Sequence, residues 1–216
     1  MNRLPTLFIL AALTGCASNL PPPDWQTNTQ SALESFEKSY LDGSAASANL
    51  SFARARAQAA RTGQPQWVAR VELARCATRT AALEFDDCPA YAVLKDGASP
   101  EERSYAAFLT GDWRAVDGKA LPGQYAALLN AGGATDLGQI ADPFSRLIAA
   151  GVLFRQGSIA PAGIAAAIDT ASAQGWRRPL LAWLGVELKR AEAAGDQAAV
   201  ARLRQRISLV ESSIGH

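Results

Sequence analysis

The amino-acid sequence predicts an all-α fold, and three observations support this class. Of the 216 residues 49% are hydrophobic but only 7% are aromatic, and alanine dominates the apolar set. Alanine is the best helix former and adds little to the surface of a sheet. Glycine-containing breaks divide the chain into segments of helical length, and no segment offers a convincing alternation of polar and apolar residues. We therefore expect one sizeable core between packed helices.

The first fifteen residues have the features of a secretion signal. The positively charged Arg3 precedes an apolar run from Leu4 to Leu13 that only Pro5 and Thr6 interrupt. This run is too short to span a bilayer as a helix, because a span needs about 20 apolar residues. The sequence therefore predicts a signal peptide over residues 1–15.

The sequence Leu13-Thr14-Gly15-Cys16 resembles the bacterial lipobox, in which an aliphatic and two small residues precede an invariant cysteine. The resemblance covers about the first 18 residues. It implies cleavage before Cys16, a diacylglycerol on the Cys16 sulfur and an acylated amino terminus, so that lipid holds the chain at a membrane. Three acyl chains exceed what stable anchoring requires. The alternative is an ordinary signal peptide with an incidental cysteine.

The residues after the cysteine indicate a destination. Ala17 and Ser18 stand where lipoproteins retained at the inner membrane typically carry aspartate. The resemblance therefore implies the outer membrane, with the protein facing the periplasm. Residues 16–23 are expected to form a lipidated stalk, because the three prolines Pro21–Pro23 exclude helix and favour an extended spacer.

Residues 24–216 are expected to form the helical domain, and several helix ends are well marked. Asp24 follows the prolines as a predicted cap, residues 99–102 (Ser-Pro-Glu-Glu) match a capping box, and Asp142-Pro143 repeats a cap followed by proline. Six glycines stand where helices are expected to end or turn: Gly43, Gly63, Gly111, Gly157, Gly175 and Gly195.

The last two helices have the clearest amphipathic pattern, with apolar residues at helical spacing on each. The last helix has the stripe Val200, Leu203, Ile207, Val210 and Ile214, and the helix before it has Leu180, Leu181, Leu184, Leu188 and Ala191. Because Gly195-Asp196 permits a tight reversal, we expect the two stripes to pack on each other.

Three breaks share a pattern, at residues 41–46, 110–115 and 194–199, and each is expected to join an apolar helix to a helix rich in alanine or arginine. A Gly-Asp turn with alanine on the second helix resembles the inner turn of a tetratricopeptide-type repeat. The resemblance implies antiparallel helix pairs stacked as a short α-solenoid. The glycine spacings of 68 and 84 residues are about twice the ~34 of that repeat. A generic helical array with common turn chemistry therefore stays open.

Residues 117–141 interrupt the helical pattern. Breaks at Asp117-Gly118, Leu121–Gly123 and Ala131–Gly133 surround one short predicted helix, Gln124–Asn130. This segment is a possible elbow between two helical halves of the domain.

Cys76 and Cys88 remain after Cys16 is assigned to lipid. Export places them in an oxidising compartment, where an even pair usually bridges. Cys76 lies on a predicted helix, Cys88 directly precedes Pro89, and the segment Glu84–Asp87 allows a reversal between them. We therefore predict a disulfide, worth about 3 kcal/mol for a closed loop of this size. Two free, buried cysteines are the alternative.

Charge and residue types exclude several function classes. The formal net charge of +1 includes Arg3, so the processed chain is neutral and lacks the electrostatic surface that nucleic acid requires. The single histidine is His216, the final residue, which leaves no basis for a buried histidine triad or histidine metal site. No glycine loop for phosphate is present. We therefore assign no catalytic residue, no cofactor and no metal.

One enzymatic interpretation stays open. Glu34-Ser35 resembles the catalytic Glu-Ser of lytic transglycosylases, many of which are outer-membrane lipoproteins, but the expected Gly-Leu-Met-Gln element is absent nearby. We expect a lipid-anchored scaffold or assembly factor that binds another envelope protein or peptide. The alternatives are a peptidoglycan hydrolase or lyase using carboxylates such as Glu34, and a carrier with a pocket for a small molecule or lipid.

Overall fold

The computed structural model describes residues 21–130 and 136–213; the signal peptide, Cys16, Ile214 and His216 lie outside these ranges. Within them the chain is all-helical and without strands, so the predicted class is confirmed. None of the described helices is long and apolar enough to cross a membrane. The helices are α1 Asp24–Leu41, α2 Ala45–Ala60, α3 Pro65–Ala81, α4 Pro89–Ala92, α5 Pro100–Thr110, α6 Ala126–Asn130, α7 Pro143–Arg155, α8 Pro161–Gln174, α9 Arg177–Ala193 and α10 Gln197–Ser212.

Two of the three predicted helix caps are confirmed. The Glu102 N–H donates to Ser99 Oγ at 3.3 Å and the Ser99 N–H donates to Glu102 Oε2 at 2.8 Å, which completes the capping box of α5. The Ser145 N–H donates to Asp142 Oδ2 at 2.7 Å at the start of α7. Asp24 does not cap α1, because the extended Pro23 occupies the cap position and Asp24 is already helical. In this first turn the negative charge of Asp24 interacts favourably with the positive end of the helix dipole.

Helices α3 and α7 pack on each other within the main hydrophobic core. Every residue of α7 from Leu147 to Leu153 is buried, which the unbroken apolar sequence of this stretch allows. At Gly151 the two backbones approach so closely that a Cβ atom would lie 2.2 Å from the carbonyl oxygen of Thr80. Trp183 of α9 is fully buried beside this contact, and its indole N–H donates to the Ala81 carbonyl at 3.2 Å.

Most helices also pack on their neighbours in the sequence: α1 with α2, α2 with α3, α7 with α8, α8 with α9 and α9 with α10. The end of α1 also contacts the start of α9. Arg177 Nε donates to the Asp42 carbonyl at 2.9 Å, and Arg178 Nε donates to the Tyr40 carbonyl at 2.8 Å. In a strictly linear solenoid a unit contacts only its neighbours in sequence. The α1–α9 contact is therefore one that a strictly linear solenoid would not have.

The predicted packing of the last two helices is confirmed within the described residues. Val200 and Leu203 of α10 are buried, and Ile207 and Val210 are partly buried against the same core. On α9, Leu180 and Leu184 are buried and join that core.

The predicted helix pair around the break at residues 110–115 is wrong. Gly111 ends α5, but no helix follows it before a short 3-10 turn at Gly123–Tyr125. The intervening backbone is held by Ser104 of α5, whose hydroxyl donates to the Asp117 carbonyl at 2.9 Å and accepts from the Asp117 N–H at 3.0 Å. The predicted short helix at 124–130 is present as that turn followed by α6.

Candidate functional site

An open cleft of about 360 Å³ lies where α1, α3, α5 and the start of α7 meet the loop that follows α5. Its floor is the face of α3 that carries Ala74 and Ala77. Small side chains at these positions leave the space that larger apolar residues would fill, so the cleft follows from the alanine-rich sequence of α3. Its walls carry both charged and aromatic groups: Glu37, Arg70, Glu101, Glu102, Tyr105 and Phe144.

Glu37 of α1 is the residue of the cleft whose charge at neutral pH differs most from that of the same side chain in water. Burial, and then the nearby carboxylates of Glu34 and Asp142, raise the pKa of Glu37 from 4.5 to about 7. Within the described residues no hydrogen bond or ion pair holds its carboxylate. Glu37 is therefore an unpaired carboxyl group that exchanges a proton near neutral pH.

Arg70 of α3 and Glu102 of α5, which also line the cleft, form an ion pair with each other. Arg70 Nε and Nη2 donate to Glu102 Oε1 at 2.9 and 2.7 Å, and Glu102 is only 4% exposed. The guanidinium also lies over the Trp67 ring, 4.9 Å from its centroid. No other guanidinium occurs among the described residues that line the cleft, and the pairing with Glu102 balances the positive charge of Arg70.

Glu101 lies on the rim of the cleft, one residue before the paired Glu102. Ser99 Oγ donates to Glu101 Oε2 at 2.6 Å, and this hydrogen bond lowers the pKa of Glu101. Glu101 therefore stays ionised through the neutral range and adds a solvated negative charge at the entrance.

Aromatic rings stack behind the cleft. The ring centroids of Tyr105 and Tyr125 are 6.2 Å apart, and those of Phe108 and Tyr125 are 4.5 Å apart. Burial raises the pKa of Tyr105 well above its ordinary value, so this wall is neutral.

The residues singled out from the sequence lie in different parts of the fold. Cys76 and Cys88 have Cα atoms 5.8 Å apart and sulfur atoms at disulfide-bonding distance, and both are buried. Glu34 is exposed on α1, where its Oε1 accepts from Gln30 Nε2 at 3.0 Å; it does not line the cleft. The sequence thus pointed to Glu34, and Glu37 was missed. The spacing of three between them puts both carboxylates on one face of α1 and was the available signal.

One group of residues in the described ranges has the spacing of a metal site. The ligand atoms of Cys76, Asp86 and Cys88 lie within 4.8 Å of one another. However, the Asp86 carboxylate is paired with the guanidinium of Arg79, and sulfurs at bonding distance have no thiolates to offer. This group is accounted for by the cysteine pair and an ion pair.

Comparison of the chain with protein-family models, curated proteins and solved structures found no match. The fold and the cleft define the class of the molecule: an all-helical domain with an open cleft whose lining includes carboxylates and aromatic rings.

Proposed function

We propose that this protein is a lipid-anchored scaffold or assembly factor of the bacterial envelope, and that its cleft binds a segment of another polypeptide. The observation that carries the proposal is the cleft itself. Its volume of about 360 Å³ lies near the lower end of ligand pockets, roughly 300–1,000 Å³. That space suits one long side chain and its flanking backbone. Aromatic rings and carboxylates in one lining also match the mixed chemistry of a peptide.

The anchoring half of the proposal rests on the lipobox Leu13-Thr14-Gly15-Cys16 and the prolines after it. Even a fully extended stalk from Cys16 to Pro23 spans only roughly 28 Å. An anchored cleft would therefore stay close to the outer membrane, where it meets other envelope proteins on the periplasmic side. Mass spectrometry of the mature chain should find acylated Cys16, and Cys16→Ser should leave an unprocessed precursor. An unmodified terminus at Ala17 or later would contradict the anchor.

We also propose that the helix hairpins are degenerate tetratricopeptide-like units. Two of the three matching breaks support this: Gly43 joins α1 to α2 and Gly195 joins α9 to α10, with φ of +87° and +71°. Only glycine adopts such angles without strain. Paired helices of this kind stack side by side and create concave surfaces that bind polypeptides.

A second candidate is an enzyme that acts on the glycan of peptidoglycan, with Glu37 in the role first considered for Glu34. The observation that favours it is the pKa of Glu37, about 7, since a general acid works best when its pKa is near the ambient pH. Release of soluble fragments from purified peptidoglycan, lost in Glu37→Gln, would support it. No release by the unaltered chain would exclude it.

Site-directed photo-crosslinking in intact cells tests polypeptide binding. A photoreactive residue at Ala120, on the loop at the cleft, is compared with one at Leu209, which is 65% exposed on α10. We expect defined polypeptide adducts from position 120 that position 209 does not give, identified by mass spectrometry. Absence of adducts at position 120, or the same adducts at both positions, would contradict the proposal.

A further inference from the structure

We propose that the cleft recognises a lysine or arginine side chain of the bound polypeptide, and that the Glu37 carboxylate forms an ion pair with the charged end of that side chain. This inference rests on the proposed function, because it specifies what the polypeptide must present. Two features of the cleft support it: its shape, with an alanine floor between aromatic and acidic walls, and its charge. Among the described residues that line the cleft, the one cation is Arg70, which is already paired with Glu102.

The charged groups around Glu37 come from every element that borders the cleft, and they do not balance. On α1 itself Glu34 lies one turn before Glu37. The other elements contribute one cation and three carboxylates: Arg70 of α3, Glu101 and Glu102 of α5, and Asp142 at the start of α7. Arg70 is paired with Glu102. The remaining carboxylates leave an excess of negative charge, which a cationic side chain would neutralise.

The uncharged surfaces of the cleft suit the rest of such a side chain. Lysine and arginine carry long apolar stems that pack along apolar surface while their charged ends stay polar. The floor at Ala74 and Ala77 offers that surface. Tyr105 and Phe144 in the walls add aromatic surface. An aromatic ring attracts a cation that lies over its face.

The protonation state of Glu37 makes this recognition dependent on pH. In the empty cleft, burial and the charges of Glu34 and Asp142 disfavour ionised Glu37. A bound cation favours the ionised form, so binding near neutral pH releases a proton. With a pKa of about 7, the ionised fraction rises from about 0.1 at pH 6 to about 0.9 at pH 8. Affinity for the cation should therefore rise about tenfold over that interval.

Capped tripeptides provide the test: Gly-Lys-Gly and Gly-Arg-Gly, with Gly-norleucine-Gly and Gly-Glu-Gly as matched controls. Binding to the full chain is followed by the NMR shifts of the cleft residues at pH 6 and pH 8. We expect the basic peptides alone to bind, and to bind about tenfold more tightly at pH 8. Glu37→Gln should weaken this binding and abolish its dependence on pH. Glu211→Gln, which changes the net charge equally at an exposed position on α10, should do neither.

Several outcomes would overturn the inference. Equal binding of the norleucine peptide would show that the stem alone is recognised. Affinity that falls as the pH rises would show that protonated Glu37 donates to a carbonyl or carboxylate instead. If free hexylamine bound as well as Gly-Lys-Gly, a small amine rather than a polypeptide would be the ligand. Adducts at position 120 that persist unchanged in Glu37→Gln would overturn this inference and leave the proposed function intact. Absence of any adduct would instead remove the proposed function.

Discussion

At the scale of single residues, two glycines inside helices differ in whether the surrounding space admits a side chain. Gly151 lies inside α7, where a Cβ would meet the Thr80 carbonyl oxygen at 2.2 Å and its carbon at 2.9 Å. Gly185 lies inside α9, where nothing stands within 4 Å of that position. Because the obstacle at Gly151 is backbone, it cannot move aside as a flexible side chain would.

We therefore predict that Gly151→Ala destabilises the protein, by about 1–3 kcal/mol or more, since α3 and α7 must separate. The matched change Gly185→Ala should stabilise it by about 0.5–1 kcal/mol, because alanine lowers the entropy of the unfolded chain and favours helix. Urea unfolding of both variants gives the two values. Stabilisation by Gly151→Ala as well would mean that the α3–α7 approach is not close.

Residue-scale features were predictable where both partners lie within one helical turn. The capping box of Ser99 and Glu102 is confirmed because its two hydrogen bonds connect residues three apart. Glu37 was missed because its charge state depends on burial and on Asp142, which the fold alone brings near. The need for glycine at position 151 could not be predicted from the local sequence either, because the constraint comes from the backbone of another helix.

At the scale of helices, the α9–α10 pair is the element that the sequence described best. Leu203 is 8% exposed and joins the main core, whereas Arg204 is on the exposed side, where its Nη2 pairs with Glu192 Oε1 at 2.8 Å. We predict that Leu203→Ala costs about 2–5 kcal/mol of unfolding free energy. Arg204→Ala should cost less than about 1 kcal/mol, the usual value of an exposed ion pair. Equal small effects in thermal melts would mean that α10 is detached.

The segment between α3 and α4 gives a second prediction at this scale. Leu83, Asp87 and Cys88 all have positive φ, at 60°, 55° and 51°, a backbone region that costs energy for residues other than glycine. A bond between Cys76 and Cys88 would hold this segment in place. We predict that neither thiol reacts in a non-reducing denaturant, and that reduction lowers stability by about 3 kcal/mol. Labelling of both cysteines before reduction would show that the bond is absent.

Helix positions were predictable because apolar spacing and terminal residues are local signals, but a glycine at a helix end does not determine whether another helix begins after it. The break at Gly111 has the same sequence character as those at Gly43 and Gly195, yet only those two join helices. After Gly111 the hydrogen bonds between Ser104 and Asp117 hold the backbone out of helix. The difference is decided by a contact between residues thirteen apart.

At the scale of the whole molecule, α1 is contacted by helices that are distant in the sequence. This arrangement produces both the α1–α9 contact and the cleft. The carbonyls of Tyr40 and Asp42 at its end accept from Arg178 and Arg177 of α9, while Glu37 one turn earlier borders the cleft. No periodic pattern encodes this convergence. The sequence therefore predicted the class of the fold and its hairpins, but not where they meet to form a site.

We predict that the stability of the whole protein depends on pH through Glu37. The pKa of Glu37 is about 7 in the folded chain and 4.5 when unperturbed, so the folded state binds the proton more tightly than the unfolded state. The stabilising effect of that proton is fully present below pH 4.5 and is lost as the pH rises through 7. Glu37→Gln removes the ionisable group. It should therefore stabilise the protein by about 1–3 kcal/mol at pH 8 and have little effect near pH 4.5.

Urea unfolding of the unaltered chain, Glu37→Gln and the control Glu211→Gln at pH 4.5, 6 and 8 measures this difference. A gain in stability that grows with pH in Glu37→Gln alone would show that the ionised Glu37 carboxylate destabilises the fold. Such a cost is expected where a buried charge is retained to meet a ligand. A difference between Glu37→Gln and the unaltered chain that stays constant with pH would instead mean that the Glu37 carboxyl is solvated and titrates as in the unfolded chain.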